Sequence, residues 1–185
     1  VFRPRGPDDG GVADVEFSKE NTITSRTLTL ADYETLVGTE LAVSDWKSVD
    51  QAQVNQFGDA SWHTHWMHTD PERAVAEGPY GGTLAHGFLM LSFLSNFMDT
   101  CNLRPSDSTF ALNYGVDKVR FLAPVIVGDG FRIRDHIRLL EVERRPKGLF
   151  TRTAHELEIE GTEGIALYAE YLTLWIPEGQ ESAVA

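Results

Sequence analysis

The chain has 185 residues, 42% of them hydrophobic and 24% charged, which suits one soluble domain with a single substantial core. Its formal net charge of −12 argues against a nucleic-acid partner, which demands clustered Lys and Arg. Cys101 is the only cysteine, which rules out an internal disulfide, and no run approaches the ~20 apolar residues of a membrane span. There is neither a basic membrane-anchoring patch nor a basic-then-apolar leader pattern, so the expectation is a cytoplasmic protein with no membrane partner.

Residues 1–27 carry Pro4, Gly6, Pro7, Gly10 and Gly11 among scattered charges and read as an N-terminal arm. A single domain is expected over 28–177, followed by a polar, flexible tail over 178–185. Thr29 is placed to cap a short helix that stops at Gly38. Glu40 to Trp46 alternates like a strand. Ser48 with Gln51 matches a capping box, and Val49, Ala52, Val54 and Phe57 follow at helical spacing up to a weak point at Gly58. Asp70 can cap a further short helix with Pro71 at its first position.

The glycines and proline of residues 78–82 make a turn, and residues 87–98 then form an apolar run. Because that run is apolar nearly all round, it is expected to form a buried helix. Its first turn, Ala85-His86-Gly87, leaves backbone N–H groups without intrahelical partners, at the positive end of the helix dipole. Such donors suit a carbonyl that is gaining negative charge, and Gly87 has no side chain to obstruct them.

Beyond a loop at 102–108 the pattern predicts four long strands, about Phe110–Leu122, Phe131–Val142, Leu149–Glu160 and Ile165–Ile176. In the second, Phe131, Ile133, Ile137 and Leu139 alternate with Arg132, Arg134, His136 and Arg138, and Asp135 alone breaks the apolar row. One wet and one dry face, with short connections, mean an antiparallel sheet. A long apolar helix and a sheet that must cover it give an α+β domain.

The chemistry-bearing segment is Trp62-His63-Thr64-His65-Trp66-Met67-His68, which holds three of the six histidines. Three readings fit it. The rings can make ordinary structural hydrogen bonds; His-x-His-x-x-His can supply metal ligands, although no cysteine or matched second cluster accompanies it; or His63 and His68 can serve as acid and base beside a carbonyl resting on Gly87. Asp59 lies four residues before His63 and would orient it if both shared a helical turn.

Residues 57–74, then Gly81-Gly82-Thr83-Leu84-Ala85-His86-Gly87-Phe88, Asn113-Tyr114-Gly115 and Val119-Arg120-Phe121-Leu122-Ala123-Pro124-Val125 resemble the MaoC-like family of (R)-specific enoyl-CoA hydratases and acyl dehydratases, including its NodN-like branch. The resemblance covers about residues 29–176. It implies a hot-dog fold, in which an antiparallel sheet wraps a long central helix, and a homodimer. It implies a lyase acting on an acyl thioester of coenzyme A or acyl carrier protein, with no cofactor and no metal. It implies catalytic roles for His68, as acid/base, and for the Gly87 N–H, as oxyanion donor. His63 stands where the family has an aspartate, with four residues between it and the histidine. Trp62, Trp66, His86 and Phe88 are the candidate substrate-binding residues. Because of the replaced aspartate, two alternatives stay open: another reaction on the same scaffold, such as thioester hydrolysis, or acyl-ligand binding without catalysis.

Overall fold

The structure is a computed structural model and describes residues 27–180. The expected arm, Thr27 apart, and the tail beyond Gln180 lie outside the described residues. In chain order the elements are α1 (Leu30–Thr35), β1 (Glu40–Val43), β2 (Lys47–Val49), α2 (Gln51–Ser61), α3 (Trp66–Thr69), α4 (Pro71–Glu77), α5 (Gly87–Thr100), β3 (Ser108–Phe121), β4 (Phe131–Arg145), β5 (Gly148–Ile159) and β6 (Ile165–Pro177). The sheet is antiparallel throughout, in the order β1-β4-β5-β6-β3, with β2 also paired to β4. Each long strand begins and ends within three residues of its predicted bounds, because alternation marks the interior and glycine turns mark the ends.

On β4 the residues Phe131, Ile133, Ile137 and Leu139 enter the core, and Asp135 enters with them, fully buried. A carboxylate there needs a partner. The ring of His155 on β5 supplies it, with Nδ1 at 2.6 Å from Asp135 Oδ2, while His155 Nε2 lies 2.8 Å from Thr153 Oγ1. Removing the acceptor strands a dry imidazole N–H. Asp135→Ala is expected to cost about 3 kcal/mol in urea unfolding, and the apolar pair Asp135→Leu/His155→Leu is expected to recover most of that loss.

Helix α5 packs Leu89, Met90, Leu94, Phe97 and Met98 into the core. The expectation of burial on every side fails: Phe88 is 69% exposed, and Ser92 and Asn96, four and eight residues on, are exposed with it. One sheet covers one side of a helix, and positions i, i+4 and i+8 form the stripe it leaves open.

Two local expectations around α2 are also corrected. Ser48 belongs to β2, paired with Arg132, and the capping box is formed two residues later. There Asp50 Oδ1 accepts from Gln53 N at 3.0 Å and Gln53 Oε1 accepts from Asp50 N at 3.1 Å. Asp caps as well as Ser does, so pairing with β4 decides between two equivalent boxes. The helix also runs on through Gly58, which is buried: a Cβ there would lie 3.2 Å from the His63 carbonyl oxygen and 3.3 Å from Thr69 Cγ2. This glycine marks a close approach of two backbones, not a stop. The strand expected over Glu40–Trp46 ends at Val43; Ser44 turns inward, where its hydroxyl accepts from the Asp135 N–H.

Candidate active site

Helix α2 ends at Trp62, which is left-handed (φ 59°), and the His63 N–H turns back onto the Gly58 carbonyl at 2.9 Å. His63 is therefore past the helix, and Asp59 and His63 do not share a helical turn. The Trp62 side chain is 93% exposed and points into solvent. His65 caps the single turn α3, its Nδ1 accepting from Met67 N at 3.3 Å. Trp66 lies under the Arg73 guanidinium, 4.7 Å from the ring centroid.

His68 is held differently. Its Nδ1–H donates to the Leu84 carbonyl at 2.8 Å, which fixes the tautomer and leaves Nε2 with a free lone pair. The strand-like contact that delivers Leu84 is continued by Leu84 N to the Met67 carbonyl at 2.9 Å and by Ala85 N to the Val125 carbonyl at 2.9 Å. Gln51, read from the sequence only as part of a capping box, locks the same segment: its Nε2 donates to the His68 carbonyl at 2.7 Å while its Oε1 accepts from the Thr83 hydroxyl.

His86 precedes α5 and is only 3% exposed. Its Nε2–H donates to the His63 carbonyl at 2.9 Å, and its Nδ1 is buried with no hydrogen-bond partner. The three rings meet: His68 stacks on His86 with centroids 3.8 Å apart, and His63 approaches them edge-on at 5.1 and 5.3 Å. Burial pushes the His68 pKa down, with neighbouring imidazoles adding to the effect and the Leu84 hydrogen bond opposing it. Burial likewise pushes His86 down, opposed by its bond to the His63 carbonyl.

The sign of the resulting pH dependence is fixed. Both rings hold a proton less readily in the folded chain than in the unfolded one. Between the ordinary imidazole value of about 6.5 and the lower folded values, the unfolded state binds more protons. Stability contributed by this cluster is full above about pH 6.5 and is lost as the pH falls through the window below it. Urea midpoints between pH 8 and 5 are expected to fall on the acid side, and less steeply in His68→Asn.

Gly87 is the first residue of α5, and the first intrahelical bond is made by Met90 N to the His86 carbonyl at 3.2 Å. The His86 ring makes no capping hydrogen bond to this helix start. What needs a glycine here is Phe121 at the end of β3: a Cβ on residue 87 would lie 2.8–3.0 Å from its ring atoms. Gly87 and Phe88 line an apolar cleft of 460 Å³ with Tyr80, Leu84, Met90 and Phe121. Leu84 joins the two parts of the site, since its carbonyl orients His68 and its residue borders the cleft. A larger cleft of 680 Å³ contains Asp50, Asp129, Glu160 and Glu163 but no histidine, and has no comparable acid–base pair.

The structure thus brings His63, His68, His86, Gly87 and Phe88 to one helix start and leaves Trp62 and Trp66 apart. A long helix laid on one antiparallel sheet is the hot-dog fold, and solved hot-dog structures superpose on it. Among them is the unliganded R-hydratase PhaJ1 from Pseudomonas aeruginosa, with a TM-score of 0.62 at 22% identity over 79% of this chain and 86% of that one. The family model described as "MaoC like domain" matches residues 32–146, and the chain belongs to that family. It is similar to Nodulation protein N of Rhizobium leguminosarum bv. viciae, at 41% identity over 80% of this chain and 91% of the relative. It is similar also to 3-hydroxyacyl-thioester dehydratase Z of Mycobacterium tuberculosis (strain ATCC 25618 / H37Rv), at 38% identity over 80% of this chain and 95% of the relative. Among the described residues, no helix is long and apolar enough to cross a membrane.

Proposed function

We propose that the protein is a hydro-lyase that interconverts an enoyl thioester and water with a 3-hydroxyacyl thioester carried by coenzyme A or acyl carrier protein. The observation that carries this reading is the free Nε2 of His68, oriented from behind by the Leu84 carbonyl and stacked on the residue that precedes Gly87. The names of the relatives support the same class of substrate. In the hydration direction, His68 Nε2 takes a proton from water as the water oxygen bonds to the β-carbon. The C=C pair moves to the thioester oxygen as enolate, and the Gly87 N–H stabilises that charge. A proton then returns to the α-carbon, with His63 as the partner that shares the transfer.

The acyl chain follows the apolar cleft past Phe88 and Phe121. The active form is a homodimer, supported by the exposed apolar residues Phe88, Phe121 and Leu122 beside β3, the last strand of the sheet among the described residues. The test is incubation of metal-free protein with crotonyl-CoA, following loss of the conjugated thioester absorbance. Steady loss without thiol release supports the reading. Thiol release identifies a thioesterase instead, and saturable binding without turnover identifies an acyl-ligand binding protein.

A further inference from the structure

We propose that Trp62 is a stacking platform for the adenine ring of coenzyme A, at the solvent end of the acyl-thioester site. The inference rests on the hydro-lyase reading and narrows its carrier to coenzyme A. An acyl carrier protein presents the same phosphopantetheine arm but brings no purine. Trp62 then serves the carrier, and the apolar cleft beside Phe88 and Phe121 serves the acyl chain.

Two observations on this one residue point outside the chain. Trp62 closes α2 in the left-handed conformation, at φ 59° and ψ 20°. Glycine is the usual residue at such a helix end, because a Cβ is strained there, and a bulky side chain is an outlier. The strain gives the fold nothing in return. The side chain is 93% exposed, and among the described residues no ring or cation stacks on the indole. Trp66 makes the contrast: the Arg73 guanidinium lies 4.7 Å from its ring centroid, and the His65 ring lies 5.4 Å away. Backbone strain that secures no packing marks a contact with a ligand.

The neighbouring residue sets where that contact lies. His63 approaches the His68 ring at 5.1 Å, so the indole stands one residue from the proton-transfer pair, on its solvent side. A thioester seated between His68 and Gly87 lays its acyl group in the apolar cleft and sends its carrier out to solvent. The larger cleft is a poor exit for that carrier. It borders the acyl cleft through Ala123, Pro124, Val125 and Ala166, and its carboxylates Asp129 and Glu163 repel phosphate groups. An indole with both faces open takes a purine by stacking alone, with no fixed hydrogen bond required.

The experiment compares the full chain with Trp62→Gly, which removes the indole and relieves the backbone, so its urea midpoint should rise. KM for crotonyl-CoA is expected to increase about tenfold with kcat unchanged, the lower part of the range for one base on one aromatic ring. KM for crotonyl-pantetheine, which lacks the nucleotide, should be the same in both proteins, and Trp62→Phe should keep most of the affinity for crotonyl-CoA. An unchanged KM for crotonyl-CoA, an equal increase for both substrates, or a lowered urea midpoint overturns the inference. Calorimetric titration with coenzyme A itself separates it from the hydro-lyase reading. Coenzyme A binding that weakens about tenfold in Trp62→Gly, in a protein that turns over neither substrate, keeps the platform and removes the hydro-lyase. Turnover with KM indifferent to residue 62 does the reverse, and a protein that neither binds coenzyme A nor turns over its thioester removes both.

Discussion

His68→Asn is expected to lower kcat for enoyl-thioester hydration by about 10²–10⁴-fold, the range for loss of one proton-transfer group. Asparagine is the informative substitute because its amide N–H can replace Nδ1–H as donor to the Leu84 carbonyl, so the local backbone keeps its tie. What the variant lacks is a basic nitrogen on the far side. Because the ring does not line the acyl cleft, KM should move little, and the loss should fall on kcat. Steady-state kinetics beside a urea melt are enough to decide. A fall of less than tenfold in a folded variant removes His68 from the proton transfer.

The second large effect concerns the helix start. A backbone N–H cannot be deleted by changing a side chain, but proline deletes it, and the first helical position tolerates proline. Residue 86 already has φ −64° and ψ 132°, the extended conformation that a following proline requires. The obstacle is steric, since any Cβ at 87 meets the Phe121 ring. Gly87→Pro is therefore best made with Phe121→Ala, whose large side chain is 49% exposed and so carries little of the core. Relative to Phe121→Ala alone, the double variant is expected to lose a further 10²–10³-fold in kcat, the usual effect of losing one oxyanion donor. Equal activity in the two proteins shows that the Gly87 N–H does not contact the developing charge.

Much of the scaffold was legible in the sequence because the forces involved act locally. The period-two row of β4 gave both the strand and its dry face, and Asp135, its one exception, had to find a buried partner. Thr29 and Asp70 cap the helices they were expected to cap, because a short polar side chain before a helical pattern has few other uses. The site itself was only partly legible. His68 and Gly87 stand out by motif, but the contact of His86 with His63 and His68 depends on backbone bonds from Met67 to Leu84 and from Ala85 to Val125. No periodicity encodes such a loop path. The outward turn of Trp62 was hidden for a similar reason: an aromatic residue suggests a pocket wall, whereas its left-handed backbone at the helix end directs the side chain into solvent. The short supply of covering surface around α5 is likewise a property of the whole sheet and is not written in the helix.

The rings at 68 and 86 are each secured by main-chain oxygen, one from residue 84 and one from residue 63. Every amino acid at position 63 carries that oxygen. Its side chain is therefore an interchangeable tool on a mount that does not depend on it, and Gly58 beneath keeps the clearance constant. A carboxylate, amide or imidazole can be fitted there without unseating its neighbours. Exchanging residue 63 alone is thus a direct way to change what faces His68 while leaving the support of its neighbours in place.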